Sequence, residues 1–175
     1  MFDQLFGLPA HPLLVHMPVV FIPLTLTLAV VAVFWQRARK VLSLVVLAGA
    51  TISMLGAQVA VMSGKALEER VKESSLIQQH GELGEGARTL AILMFLVAVA
   101  FVVREWGGEL RVPGAERLGR LLAPRAVGIA VSVALIASGG LATIWVARAG
   151  HLGAKATWST LPATSGGGVR GGDHD

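Results

Sequence analysis

The stretch Leu13-Leu14-Val15-His16-Met17-Pro18-Val19-Val20-Phe21-Ile22-Pro23-Leu24-Thr25-Leu26-Thr27-Leu28-Ala29-Val30-Val31-Ala32-Val33-Phe34-Trp35 carries no acidic residue, lysine or arginine, and Gln36-Arg37-Ala38-Arg39-Lys40 ends it abruptly. An α-helix needs about 20 apolar residues to cross the hydrocarbon core of a bilayer. This segment meets that length, and the basic cluster behind it would hold its end at the interface. Three further stretches repeat the pattern. They run over residues 41–62, about 83–103 and 127–146, so the chain reads as an all-α, integral membrane four-helix bundle. The third span is the least apolar, because only residues 90–103 are free of charge. Its helix is therefore expected to begin near Glu82, with Glu85 and Arg88 at the interface, where the arginine can snorkel. Residues 1–160 form the expected transmembrane domain, and residues 161–175 a flexible Gly-rich tail.

Composition agrees with this reading. Hydrophobic residues make up 54% of the 175, charged residues 15%, and mean hydropathy is +0.67. The net charge of +4 would suit a nucleic-acid partner only if the basic residues formed a patch of their own. They lie instead in short clusters beside the apolar spans, so membrane topology explains them and no nucleic-acid partner is expected. The N-terminus lacks the basic region of a cleavable signal peptide, and the first apolar run is too long for one. With no cysteine, the chain has no disulfide, thiolate site or covalent c-type haem attachment. No Walker or strand-plus-GxGxxG pattern supports nucleotide binding, and no HExxH string supports a metalloprotease.

Orientation follows from the loops. One side holds Arg37, Arg39, Lys40, Arg104, Arg111, Arg117, Arg120 and Arg125 against only Glu105, Glu109 and Glu116. On the other side acids outnumber bases. The positive-inside rule then places both termini outside and both basic loops in the cytoplasm, as expected of a multi-pass protein of the cytoplasmic membrane. Trp35 and Trp106 would mark the inner interface, Trp145 and Trp158 the outer one. Pro18 and Pro23 are expected to kink the first helix.

The five histidines, His11, His16, His80, His151 and His174, all fall at or beyond the outer face in this topology. His174 belongs to the tail and is set aside. His11 precedes Pro12, which suits a helix cap followed by the first helical position. His16 lies deeper, where an unpaired imidazole is costly. His80 shares a small-residue stripe with Gly84, Ala87 and Ala91. His151 continues a stripe through Gly139, Thr143 and Ala147. If both stripes face inward, His16, His80 and His151 converge from three helices, with His11 at the rim. A lone interfacial histidine is most often only a hydrogen-bonded polar group; four at one level point to a bound centre.

Haem b is the first expectation. Imidazoles are its usual axial ligands, and a flat macrocycle needs glycine and alanine walls to enter a bundle. His16 with His80 or His151 is the preferred axial pair, and Arg88 and Arg148 would pair with the propionates. Electrons would pass to or from a quinol or a periplasmic redox protein. The competing expectation is a copper or zinc site on His16, His80 and His151, with Glu69, Glu82 or Glu85 as extra ligands, in a metal-binding or transport-accessory protein. A structural subunit without cofactor is the third.

The opening Leu8-Pro9-Ala10-His11-Pro12-Leu13-Leu14-Val15-His16-Met17-Pro18 resembles the signature His-Pro-x-x-Val-His-Phe-Pro of an uncharacterised bacterial family of four-helix membrane proteins, domain of unknown function 2231. The resemblance continues through Ser63-Gly64, Glu68-Glu69, His80 and Gly150-His151-x-Gly153, and covers all but the tail. Two departures, Met17 for the usual phenylalanine and Thr157-Trp158 for an aliphatic–aromatic pair, touch no histidine. The resemblance implies the fold and membrane location. Because such domains also occur fused to Rieske or cytochrome c modules, it adds an association with redox work.

Overall fold

A computed structural model describes residues 4–5, 8–71 and 74–158, so the Gly-rich tail and His174 lie outside the described residues. A two-residue antiparallel ladder, Gln4–Leu5 with Leu8–Pro9, leads into helix α1 (Ala10–Leu14). Then follow α2 (His16–Phe34), α3 (Arg39–Glu68), α4 (Ser75–Trp106), the short α5 (Ala115–Leu122) and α6 (Arg125–Trp158). Four helical segments are long and apolar enough to span a membrane: Ala10–Phe34, Arg39–Glu68, Ser75–Trp106 and Arg125–Trp158. The helix of α3 packs on α2 and α4, and α6 closes the ring by packing on α4 and α2. Neighbours run antiparallel, so α1, the end of α3, the start of α4 and the end of α6 meet at one end, the histidine end. The loops carrying most arginines meet at the other.

The helices outrun the apolar spans at the histidine end. Helix α4 begins at Ser75, well before the expected start near Glu82, because Ser74 caps it: its hydroxyl accepts the Ile77 N–H at 3.3 Å. With 30 to 34 residues each, α3, α4 and α6 are roughly 45–51 Å long at 1.5 Å per residue. That exceeds the hydrocarbon thickness by several turns. The first span is interrupted at Val15. Pro18 has no N–H to give the Leu14 carbonyl, which removes one hydrogen bond there. Helix α1 starts at Ala10, so His11 and Pro12 lie within its first turn, and His11 is not the cap. Pro12 still costs nothing at that position, where the N–H would have no helical acceptor.

Small residues set the spacing. A Cβ at Gly56 would lie 2.8 Å from the Met17 Cβ, and one at Gly49 would lie 2.5 Å from Thr25 Oγ1. Helices α2 and α3 therefore touch nearly backbone to backbone, as packing in lipid favours. Gly56→Leu is expected to destabilise the protein by about 1–3 kcal/mol, since no rotamer moves a Cβ and the helices must part. Gly84→Ala is the control, its new Cβ meeting only Val61 Cγ2 at 3.9 Å. Unfolding in mixed micelles reads the difference.

The core is graded along its axis. Toward the arginine end it holds Val46, Met94, Phe101 and Leu135 among alanines. Toward the histidine end it thins to Ile22, Ala57, Ala91 and Ala142. Among the described residues every buried side-chain polar atom has a hydrogen-bond partner. At the arginine end, the Trp106 indole donates to Lys40 O at 2.9 Å and to Ser43 Oγ at 3.2 Å, while the Lys40 ammonium lies 4.5 Å above its ring. This ties α4 to α3 at the arginine end of the bundle.

Candidate functional site: two seated imidazoles

Thinning the core at the histidine end leaves room for two side chains to enter from opposite helices. The first is His11. Its Nδ1 lies 3.0 Å from Ala60 O on α3 and 3.2 Å from Ser63 Oγ. Next to it Gly64 provides a seat, since a Cβ there would stand 3.1 Å from the His11 Cε1. The second is His80. Its Nδ1 lies 2.8 Å from Ala149 O on α6, and a Cβ at Gly153 would stand 3.1 Å from its Cε1. The two arrangements repeat one device: an imidazole from one helix, a carbonyl of an alanine on the next, and a glycine four residues beyond that alanine. The sequence writes it as Ala60-x-x-x-Gly64 and Ala149-x-x-x-Gly153.

A carbonyl oxygen can only accept, so Nδ1 must carry the proton in each ring. The neutral ring then keeps its lone pair on Nε2. Metal-ligating histidines are commonly held this way, with the far nitrogen fixed by a carbonyl and the near one turned to the metal. The rings meet edge to face, with centroids 5.9 Å apart and planes at 89°.

The expected convergence of His16, His80 and His151 with His11 at the rim is replaced by a pair, His11 with His80. His16 and His151 are exposed. Helical phase explains both. On α2 the buried face runs through Pro18, Ile22, Thr25, Ala29 and Ala32, and His16 precedes Pro18 by two residues, a turn of about 200°. His151 follows the inward Ala149 by two residues, a turn of about 200°. The inner face of α6 passes through Leu135, Ser138, Gly139, Ala142 and Ala149, while Ala147 and His151 point outward. The stripe expected for α4 does face inward: Ala87 and Ala91 are buried and His80 is half-buried.

Other candidates are placed elsewhere. Arg148 is exposed and lies 5.8 Å over the Trp145 ring. Arg88 is half-buried, two turns or roughly 12 Å along α4 from His80. Glu69 and Glu82 are exposed, and Glu85 pairs with Lys65 at 2.6 Å. The carboxylate that does approach is Glu68, not singled out from the sequence. A Cβ at Gly81, the residue after His80, would lie 3.3 Å from its Oε1. No group of three His, Cys, Asp or Glu side chains among the described residues is arranged to hold a metal ion.

The sequence profile of a family described as a predicted membrane protein, domain of unknown function 2231 (DUF2231), matches residues 7–164. The chain belongs to this family. The match runs from just before α1 past the end of α6, so both imidazole seats lie within it. No curated protein and no solved structure matches the chain. The DUF2231 chain described here is thus a multi-pass membrane protein with a paired-imidazole site at one end of its bundle.

Proposed function

We propose that His11 and His80 are the two protein ligands of a haem b, and that the protein passes electrons at the outer face of the cytoplasmic membrane. The observation that carries this reading is the pair itself: two imidazoles, each fixed through Nδ1, neither Nε2 hydrogen-bonded among the described residues, 5.9 Å apart between centroids. The edge-to-face contact brings the two rings to one place in the bundle, and rotation about the His11 and His80 side-chain bonds would turn both Nε2 atoms toward one bound centre.

Ligand number favours haem over zinc. Zinc takes four protein ligands in structural sites and three in catalytic ones. Haem would ask the protein for two imidazoles, which His11 and His80 would provide. Bound there, the iron would supply reversible one-electron chemistry. The chain would supply the rest. Ala60 O and Ala149 O would orient the rings, and a position at the end of the bundle would suit exchange with a quinol or a periplasmic redox protein.

A single copper ion is the second reading. The space beside Gly64 and Gly153 is filled by the imidazoles themselves, which suits a small ion between two nitrogens. Protein produced with ample haem and purified in detergent separates the readings. The expected result is one non-covalent b-type haem per chain, with α and β bands resolved after dithionite reduction. Stoichiometric copper without haem would replace the first reading by the second, and colourless, metal-free protein would overturn both.

A further inference from the structure

At the opposite end, a cleft of about 570 Å³ opens between α2 and α6. Three arginines line it, Arg39, Arg104 and Arg125, above an apolar wall that includes Val33, Ile129 and Val133. We propose that this cleft binds an anionic phospholipid, with the phosphate among the arginines and an acyl chain along the wall.

The chemistry follows from how the arginines are held. The Arg39 guanidinium donates to Ala32 O at 3.3 Å and Val33 O at 2.6 Å, closing the end of α2. Arg104 donates to Leu122 O and Pro124 O, fixing the α5–α6 connection. Its guanidinium lies against Gly128, where an added Cβ would displace it. Carbonyls orient these groups without cancelling their charge. Among the described residues, Arg104 has one carboxylate at 3.9 Å, Glu105 Oε1, and neither Arg39 nor Arg125 has one within ion-pair distance. Excess positive charge at a helix seam calls for an anion.

The wall decides which kind. Ile129 is 57% and Val133 60% exposed, on a helix that spans the bilayer, so the cleft opens toward lipid. A soluble anion would leave that wall uncovered, whereas a phospholipid satisfies both halves. Beside it, α5 presents Leu118 and Leu121 outward with Arg117 and Arg120, the pattern of a helix lying in the interface.

The test uses the full-length protein in detergent and native mass spectrometry, titrating phosphatidylglycerol, phosphatidylcholine or glycerol phosphate. Phosphatidylglycerol is expected to be retained in preference to phosphatidylcholine, and glycerol phosphate not at all. Arg125→Gln removes the arginine that has no structural hydrogen bond among the described residues. It is expected to weaken retention about fivefold, one basic residue near an anionic surface being worth about 1 kcal/mol. Arg148→Gln, exposed at the histidine end and far from the cleft, should leave retention unchanged. Equal retention of both lipids, equal binding of glycerol phosphate, or equal effects of the two variants would overturn the proposal.

Discussion

His11→Ala and His80→Ala, made singly, are each expected to lower the affinity for the proposed haem at least 100-fold. Loss of an outer partner to a metal ligand typically costs 10–100-fold, and loss of the ligand itself costs more. Neither variant should unfold the bundle. Ala60 O and Ala149 O lie within helices and keep their backbone partners, so each variant forfeits one hydrogen bond worth about 0.5–1.5 kcal/mol net. The double variant His16→Ala with His151→Ala is expected to bind the centre as the parent does, because both imidazoles are exposed. Free imidazole should restore binding to His80→Gly, since it can occupy the seat at Gly153. Titration of each detergent-purified variant, followed by absorbance, checks all of these. A purely structural role would produce destabilisation without rescue.

The second large effect concerns the core. Phe101 is 1% exposed and packs with Val46, Met94 and Leu135 among the alanines of the arginine-end half. Phe101→Ala is expected to cost about 3 kcal/mol, the low end of the range for buried phenylalanine in soluble proteins. The low end applies because lipid is as apolar as the core. The transfer contribution shrinks and the lost packing remains. Phe34, 77% exposed on the bilayer side of α2, provides the contrast. Phe34→Ala should stay within about 0.5 kcal/mol of the parent. Unfolding by sodium dodecyl sulfate in mixed micelles reads both, and equal costs would mean that the Phe101 environment is misassigned.

Much of the architecture is legible in residues 13–40 and their three echoes, because in a bilayer length and apolarity nearly suffice to define a spanning helix. The inward face of α4 is legible too, since Gly84, Ala87 and Ala91 fix its phase. What the sequence conceals is phase near breaks and at helix ends. His16 looks like the deeper, costlier imidazole, yet Pro18 interrupts the helix beside it and it faces outward. His151 continues a stripe of small residues that starts on the buried face of α6 at Gly139 and has drifted outward by Ala147. The paired Ala-x-x-x-Gly seats were present in the sequence, but they mean something only once Ala60 and Ala149 are known to face His11 and His80. Helix α5 is hidden by its length: eight residues within an arginine-rich connection look like loop. The arginine cleft is concealed for another reason, since Arg39, Arg104 and Arg125 are far apart in sequence and meet only when α6 closes the ring on α2.

The central claim is that His11 and His80 share one centre, and the coordination state of the iron tests it most directly. In the oxidised parent protein loaded with haem, electron paramagnetic resonance and absorbance should report six-coordinate, low-spin iron with two nitrogen axial ligands. His11→Ala and His80→Ala should each convert whatever haem they retain to five-coordinate, high-spin iron, and the His16→Ala, His151→Ala double variant should not. Low-spin iron persisting in His11→Ala or His80→Ala, or lost in the double variant, would contradict the assignment of the pair.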